Sequence, residues 1–504
     1  MKNKIVIKSL KKGIIINLLV TIITGIFSFI INKYFLKFMG LTELGLMRLF
    51  TQMIAYLNLA ELGIGTAGAY MLYGPLKNKN YEQINTIVST IKDIYKKIAI
   101  SILIIGLLMS PMVLFFIKDL NGISKLSIIF YWNLYVVMTS ISYTYGTCMI
   151  VLIANQEYEY IRLIQGTIKI IINSLQVFVI INNKSFLLFI VLLIIENILQ
   201  YILLKKYFIK NYFYIKKSSN REKTIFKDLK NLFWHKISGI IVYNTDYIII
   251  SKFLSLSIVG IYSSYLIIIT TINTLVSVVT NVISPRIGLF ISQNSKQDAY
   301  DLWEKLNIIY LYISLLLSYT TYKLINNFIF LWLGEEYMLS KVTIILIIIN
   351  LFIQLFRSIT DIFKNGYGYF DDIYLPMIEG VLNLVISLVL VREYGLNGVI
   401  IGTIVSNFVV LVIAKPMLVL EKCFHKNFQV YLKILFKYIF LVIINLLILN
   451  LIFNYVIILK DIVNWSGWIK TSIILTLITS ITLFITFFMN NDFRYMILKF
   501  KSRR

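Results

Sequence analysis

Charged residues are scarce in this chain, as are cysteine, histidine and proline. Asp, Glu, Lys and Arg make up 14% of the 504 residues, whereas 59% are hydrophobic; soluble domains carry about 25% charged residues. Two cysteines, Cys148 and Cys423, exclude a disulfide scaffold, and two histidines are too few for a His-based metal site. Together with a mean hydropathy of +0.81, these absences predict an all-α polytopic membrane protein with no metal or cofactor.

Long apolar stretches recur along the whole chain. A helix needs about 20 apolar residues to cross the bilayer, and about 14 stretches meet this length. They are residues 14–36, 45–73, 98–117, 126–153, 161–182, 185–204, 234–253, 258–284, 306–333, 340–363, 374–391, 396–414, 434–458 and 467–489. We therefore expect about 14 transmembrane helices.

Basic residues outnumber acidic ones, 49 to 24, and they concentrate in alternate loops. The positive-inside rule then places both termini in the cytoplasm. Such clusters indicate contact with anionic lipid rather than with nucleic acid. The first apolar stretch is too long for the core of a cleavable signal peptide. The loops on the other side are all short, so they leave no room for an outer catalytic domain.

An internal repeat divides the chain. Lys37–Leu46 aligns without gaps on Lys252–Ile261 at an offset of 215, and a second match with an offset of 214 places Glu157–Gly166 on Asp371–Gly380. Six spans separate the equivalent stretches, so the halves share one orientation, which is a parallel repeat of the kind found in many transporters. Duplication of a helical scaffold explains the same pattern without transport.

The repeat predicts four regions in chain order. They are a six-helix bundle (1–204), a basic cytoplasmic linker (205–233), a second six-helix bundle (234–420), and two extra transmembrane helices with a basic tail (421–504).

Three stretches carry a family resemblance: Tyr34–Tyr73, Asn244–Gly288 and Gly366–Thr403. With them, the chain resembles polysaccharide flippases, which transport lipid-linked O-antigen or capsule repeat units. These flippases belong to the multidrug/oligosaccharidyl-lipid/polysaccharide exporter superfamily. The resemblance implies two six-helix bundles around a V-shaped cavity, two extra C-terminal helices, and alternating access at the bacterial cytoplasmic membrane. It also implies lipid-linked oligosaccharide, membrane lipids and other polysaccharide assembly proteins as partners.

Polar residues recur on one side of span 161–182, at spacings of 4, 4 and 3. They are Gln165, Lys169, Asn173 and Gln176. The equivalent positions of span 374–391 are Glu379, Asn383 and Ser387. Amides and hydroxyls suit sugar hydroxyls, and a lysine suits a phosphate, so we predict that these stripes bind substrate across a central cavity. The alternative is that polar side chains hold helices together.

Further charges lie within predicted spans, where ionisable groups are costly and often functional. Arg48 is a candidate diphosphate contact, unless it extends to the outer interface. Asp246 is a candidate proton or sodium site, unless it pairs with Lys252 or Lys236. Arg357 and Asp361 are four residues apart on one helix and predict a structural ion pair.

The chain shows no enzyme motif, since it has neither a P-loop nor a paired-carboxylate constellation. The sequence therefore predicts a flippase for undecaprenyl-diphosphate-linked oligosaccharides, used in surface polysaccharide biosynthesis. The alternatives within the superfamily are a multidrug cation antiporter and a peptidoglycan-precursor flippase. A membrane polysaccharide polymerase is the alternative from another class, although the short outer loops count against it.

Overall fold

The regular structure is helical throughout the part of the chain that the structure describes. The computed structural model describes residues 2–58, 64–120, 122–222, 245–369, 372, 374–455, 462 and 464–501. The chain forms two compact units, Met1–Ser264 and Tyr265–Arg504. The first unit extends past the predicted linker and includes residues 245–264, which the sequence assigns to the second bundle.

The first unit is built from ten helices and the start of an eleventh, among the described residues. They are α1 (Lys2–Phe38), α2 (Leu41–Leu57), α3 (Ile64–Asn78), α4 (Tyr81–Leu108), α5 (Ser110–Val113), α6 (Lys125–Ser142), α7 (Gly146–Ala154), α8 (Tyr158–Asn182), α9 (Phe186–Asn211), α10 (residues 245–253) and α11 (Leu256–Gln293). Its core packs α3, α4, α7 and α9 together, with Tyr95, Ile91 and Leu204 among the buried side chains.

The second unit contains the rest of α11 and nine further helices, within the residues described. They are α12 (Lys296–Trp332), α13 (Lys341–Phe356), α14 (Ser358–Gly366), α15 (Tyr374–Tyr394), α16 (Leu396–Asn407), α17 (Lys415–Phe424), α18 (Phe428–Tyr455), α19 (Trp465–Phe488) and α20 (Asn491–Lys501). A π-helical turn, Phe408–Ala414, joins α16 to α17.

The helix lengths confirm a polytopic membrane fold. Eleven helices in the described part are long and apolar enough to cross a membrane. The pair of α4 and Ser110–Phe116, bent by 58°, passes the same test together and brings the candidates to twelve when it is counted as one span. These twelve correspond to twelve of the predicted spans. The other two predictions, 45–73 and 234–253, fall partly outside the described residues, at 59–63 and 234–244.

The outward face of α19 shows why such helices suit a lipid environment. Its exposed side chains are large and apolar, including Ile473, Leu477 and Ile481. Its buried side chains include Thr471 and Thr479. Small polar residues at helix contacts, with bulky apolar residues outside, are typical of membrane helices.

Side-chain caps fix where many helices begin. In each case a Ser or Asn oxygen accepts a backbone N–H three residues further on, which satisfies a donor that the first helical turn leaves free. These caps are Asn80, Ser124, Ser185, Ser295, Ser340 and Asn464. Ser295 forms a complete capping box with Asp298.

The two turns of the internal repeat contact each other reciprocally inside the first unit. Leu41 and Gly45 of α2 align with Leu256 and Gly260 of α11 at the offset of 215. A Cβ on Gly45 would lie 1.9 Å from the Leu256 carbonyl oxygen, and a Cβ on Gly260 would lie 2.8 Å from that of Leu41. Each glycine therefore packs against the turn that is equivalent to its own, as a local two-fold relation between repeats requires.

Gly45→Ala should destabilise the first unit, because its methyl group cannot share space with the Leu256 carbonyl. We expect a loss of about 1–3 kcal/mol, seen as a lower midpoint of thermal unfolding in detergent. Gly74→Ala is the matched control, since Gly74 is helical and its Cβ would have no neighbour within 4 Å. Equal midpoints for the two variants would contradict the close contact.

Candidate functional site

Arg48 points into a buried polar cluster of the first unit. Its Nη2 donates to Asn32 Oδ1 at 3.4 Å, and Asn32 Nδ2 donates to Ser264 Oγ at 2.9 Å. Asn32 is only 1% exposed. The Arg48 Nε is buried, with no hydrogen-bond partner among the described residues. These contacts join α1, α2 and α11 around one guanidinium group.

Asp246 lies in the same neighbourhood, on α10. Its carboxylate lies within electrostatic range of the hydroxyls of Tyr56, Tyr247 and Tyr262. The rings of Tyr247 and Tyr262 meet edge to face, with centroids 5.9 Å apart. The charge of Arg48 also acts on Tyr247. Arg48 and Asp246, which the sequence predicted separately, thus both act electrostatically on Tyr247.

The sequence suggests Lys252 and Lys236 as alternative partners of Asp246, and the structure describes only Lys252. The ammonium group of Lys252 donates to the backbone carbonyl of Phe115 and lies 3.5 Å above the centroid of the Phe115 ring. Lys236 lies outside the described residues. Lys252 therefore anchors α10 to the loop after α5.

The polar stripe of α8 faces a polar edge of α9. Gln165 Nε2 donates to Gln200 Oε1 at 3.2 Å, and Gln200 Nε2 donates to Glu196 Oε1 at 3.1 Å. Lys169 lies within electrostatic range of Glu196. Gln165 therefore takes part in a helix–helix contact, the alternative role considered for this stripe.

The remaining stripe residues differ in exposure. Asn173 and Gln176 are buried at 7% and 2%, whereas Lys169 is exposed. Lys169 is the twelfth residue of α8, so it lies about 16 Å along the helix axis. Of the four, Lys169 presents a charge at the unit's surface close to the middle of a span.

The equivalent stripe of α15 is packed against α16 in the second unit. Asn383 Nδ2 donates to Thr403 Oγ1 at 2.9 Å, and Ser387 Oγ donates to the Val399 carbonyl at 3.1 Å. Both side chains are fully buried. Gly402 permits the close approach, because its Cβ would lie 2.2 Å from Ser387 Oγ. In this arrangement the side chains of Asn383 and Ser387 hold α15 against α16.

Glu379 belongs to a group of charges at the ends of α13 to α17. It is 4% exposed and lies within electrostatic range of Arg357 and Lys415. The predicted pair of Arg357 and Asp361 is present at 3.8 Å, and Lys415 approaches Asp361 more closely, at 2.5 Å. The π-helical turn directly precedes Lys415, so this local irregularity sets the position of the lysine.

Several polar residues of these clusters were missed from the sequence. Glu196 and Gln200 could have been predicted, because two polar residues four positions apart lie on one side of an otherwise apolar span. No sequence pattern indicates the roles of Asn32 or of the tyrosines around Asp246. In the described part of the chain, no group of three or more His, Cys, Asp or Glu residues is arranged to hold a metal ion.

Solved structures of transporters share this fold. A lipid II flippase, MurJ, in an inward closed conformation matches with a TM-score of 0.67 and 14% identity, covering 94% of this chain and 99% of the other. An inward-facing multidrug resistance MATE family transporter of the MOP superfamily matches with a TM-score of 0.63 and 13% identity, covering 80% of this chain and 96% of the transporter. An outward-facing MATE family transporter matches with a TM-score of 0.55 and 13% identity, covering 80% of this chain and 92% of the transporter. No protein-family model and no curated protein sequence matches the chain.

Lys364→Met should destabilise the second unit strongly. Both oxygens of Asp372 accept from Lys364 Nζ at 2.7 Å, and the two side chains are 1% and 11% exposed. Removing one partner of a buried pair costs about 3–5 kcal/mol, measurable by chemical unfolding in detergent. Lys422→Met is the control, because its pair with Glu421 is exposed and worth at most about 1 kcal/mol. Similar losses in both variants would contradict the buried pair.

Proposed function

We propose that this chain is a flippase that moves undecaprenyl-diphosphate-linked oligosaccharide repeat units across the bacterial cytoplasmic membrane by alternating access. The observation that carries the proposal is the similarity of fold to a lipid II flippase over 94% of the chain. The MATE transporter matches over 80% of the chain. The lipid II flippase thus shares the fold over a larger part of this chain, which supports a lipid-linked substrate.

Electrostatics favour an anionic headgroup. A diphosphate cannot cross about 30 Å of hydrocarbon without compensation of its charge. Lys169 on α8 and Arg48 on α2 each place a cation within a predicted span, and we assign both as phosphate contacts. Arg48 suits this role because guanidinium binds phosphate oxygens in pairs. Lys169 suits it because its ammonium is exposed.

The other predicted ligands need a rearrangement before they can bind a sugar. Gln165 and Asn383 already bind other side chains, and Asn173, Gln176 and Glu379 are buried. We propose that they become accessible when the α8–α9 and α15–α16 contacts loosen during the transport cycle. Sugar hydroxyls then replace the lost protein partners.

Asp246 is our candidate for ion coupling. It shares the Tyr247 neighbourhood with Arg48, so protonation of Asp246 changes the electrostatic balance around the guanidinium. A diphosphate bound to Arg48 also changes the electrostatic balance around the guanidinium. This mutual effect would couple an ion gradient to substrate release.

The proposed orientation follows from the basic loops. Both termini and the linker lie in the cytoplasm, because the positive-inside rule retains Lys and Arg there. Other polysaccharide assembly proteins are the expected partners on that side.

Two relatives in fold define the competing functions. The lipid II flippase favours a peptidoglycan precursor as substrate, and the MATE transporter favours a drug cation. Cations at Arg48 and Lys169 count against a cationic substrate. The choice between the two lipid-linked substrates depends on the sugar, so a direct comparison of substrates is decisive.

Purified protein in proteoliposomes should flip a fluorescent undecaprenyl-diphosphate trisaccharide faster than lipid II, and should not transport ethidium. Lys169→Gln should lower the flipping rate about tenfold or more, whereas Lys169→Arg should retain most of it because the charge persists. Lys470→Gln is the control, since it removes an exposed cation from another span, α19. Preference for lipid II or ethidium would overturn the substrate, and normal flipping by Lys169→Gln would remove this residue from the site.

Asp246→Asn should abolish the dependence of flipping on an imposed proton or sodium gradient. An amide of the same shape keeps the packing but cannot ionise. Asp246→Glu should restore the gradient response at least in part, and Glu335→Gln, an exposed carboxylate between α12 and α13, is the control. A variant whose gradient response equals that of the wild type would exclude Asp246 from coupling.

A further inference from the structure

A large basic cavity lies in the first unit, separate from the Arg48 cluster and from the stripe of α8. It has a volume of about 800 Å³, within the range of about 300–1,000 Å³ typical of small-molecule sites. Its walls come from α4, α7, α9 and the segment that follows α9. Six basic side chains line it: Lys92, Lys96, Lys205, Lys216, Lys217 and Arg221. We call it the basic pocket.

The segment after α9 is fixed against α4 and closes one side of the basic pocket. Asn85 Oδ1 accepts the Lys216 N–H at 2.8 Å, and Ser89 Oγ accepts the Ser218 N–H at 2.9 Å. Thr90 Oγ1 accepts the Glu222 N–H at 2.9 Å. Side chains of α4 thus accept three backbone N–H groups of residues 216–222, a segment that the sequence assigns to the basic cytoplasmic linker. The backbone that carries Lys216, Lys217 and Arg221 is held against α4 as a result, while these three residues are exposed.

Positive charge in the basic pocket is largely uncompensated. Asp93 is the single carboxylate among the described residues that line it, and it pairs with Arg221 at 2.7 Å. Lys205 donates to the Tyr201 hydroxyl at 2.8 Å. Lys92 on α4 and Lys205 on α9 line the same cavity, and both lie within electrostatic range of the Cys148 thiol. Lysines gathered around one cavity attract a phosphate group.

The basic pocket also has an apolar side at the expected membrane boundary. Lys92 and Lys96 lie six and two residues before the apolar stretch 98–117, and Lys205 directly follows the stretch 185–204. Ile100 lies one helical turn beyond Lys96, lines the cavity and is 46% exposed. A ligand that fits has an anionic head beside the lysines and an apolar tail along Ile100. Basic pockets between transmembrane helices bind lipid headgroups in this way.

We propose that the basic pocket binds the phosphodiester headgroup of an anionic glycerophospholipid, with its acyl chains along the apolar wall. The bound lipid is a structural ligand rather than the transported molecule. It joins α4, α9 and residues 216–222 at the membrane surface. Binding of this lipid does not depend on the proposed flippase activity, so either proposal can fail alone.

Native mass spectrometry of the full chain in detergent, titrated with phosphatidylglycerol, tests the proposal. We expect one retained lipid, and at least about tenfold weaker binding for Lys92→Gln/Lys96→Gln/Lys205→Gln. The control is Lys77→Gln/Lys97→Gln/Lys206→Gln, which removes three exposed lysines of the same helical region outside the pocket. It should bind within twofold of the wild type. The corresponding triple arginine variant of the pocket should retain binding.

Four results would overturn the proposal, three from the binding experiment and one from crosslinking. Equal losses in both glutamine variants would indicate diffuse surface charge. Competition by inorganic phosphate or glycerol phosphate at the lipid's own concentration would indicate a free anion site, and stronger binding of undecaprenyl phosphate would indicate a substrate site. Photo-crosslinking of a phosphatidylglycerol probe to the wild type covers the case in which the glutamine variant does not fold. Crosslinks on α4 and α9 beside the pocket support the proposal, and their absence there refutes it.

Discussion

The cost of a charge in hydrocarbon organises both units of this protein. An ionised side chain within a span is stable only with a partner or in contact with water. Arg48 contacts Asn32, Lys169 lies near Glu196, and Lys415 binds Asp361. Every one of these partners lies on a different helix from the charge that it balances. Charges that would destabilise a single helix therefore specify how helices pack.

The same principle acts in both halves of the repeat, in the turns that precede α8 and α15. Glu157 precedes α8 and accepts from the hydroxyls of Tyr207 and Tyr212, each at 3.0 Å. Asp372 precedes α15 and accepts from Lys364. Burial raises the pKa of Tyr212, and the nearby Glu157 carboxylate raises it further. The tyrosine therefore keeps its proton and remains a hydrogen-bond donor. Each half thus anchors the turn before this helix through a carboxylate, with different donors, although the repeat aligns Glu157 with Asp371 and not with Asp372.

The sequence predicted the fold well because span length depends on local composition. Helices that cross hydrocarbon must satisfy their backbone internally, so about 20 apolar residues suffice to recognise them. The pair of Arg357 and Asp361 was predictable for the same reason, since i, i+4 neighbours meet on any helix. The parallel repeat was visible because Gly45 and Gly260 occupy equivalent positions in two similar stretches.

The candidate site was less predictable because its partners come from distant segments. Nothing in the residues around Asp246 indicates that Arg48, about 200 positions earlier, lies in the same cluster. Lys364 and Asp372 are separated by a turn, so their meeting depends on the path of the backbone. The stripe of α8 was found by its spacing, but spacing alone cannot show which of its residues face α9. That Lys169 is exposed and Gln176 buried follows from packing.

The strength of these polar contacts bears on how such a protein can move. Hydrogen bonds between membrane helices contribute on average about 0.6 kcal/mol each. The bonds of Gln165 with Gln200 and of Asn383 with Thr403 are therefore weak enough to exchange for other hydrogen bonds at little net cost. The buried pairs of Lys364 with Asp372 and of Lys415 with Asp361 are different, because separating them leaves a charge unbalanced. If the proposed transport cycle operates, we expect it to break contacts made by amides and hydroxyls, while the ion pairs keep α14 bound to α17 and to the residue that precedes α15.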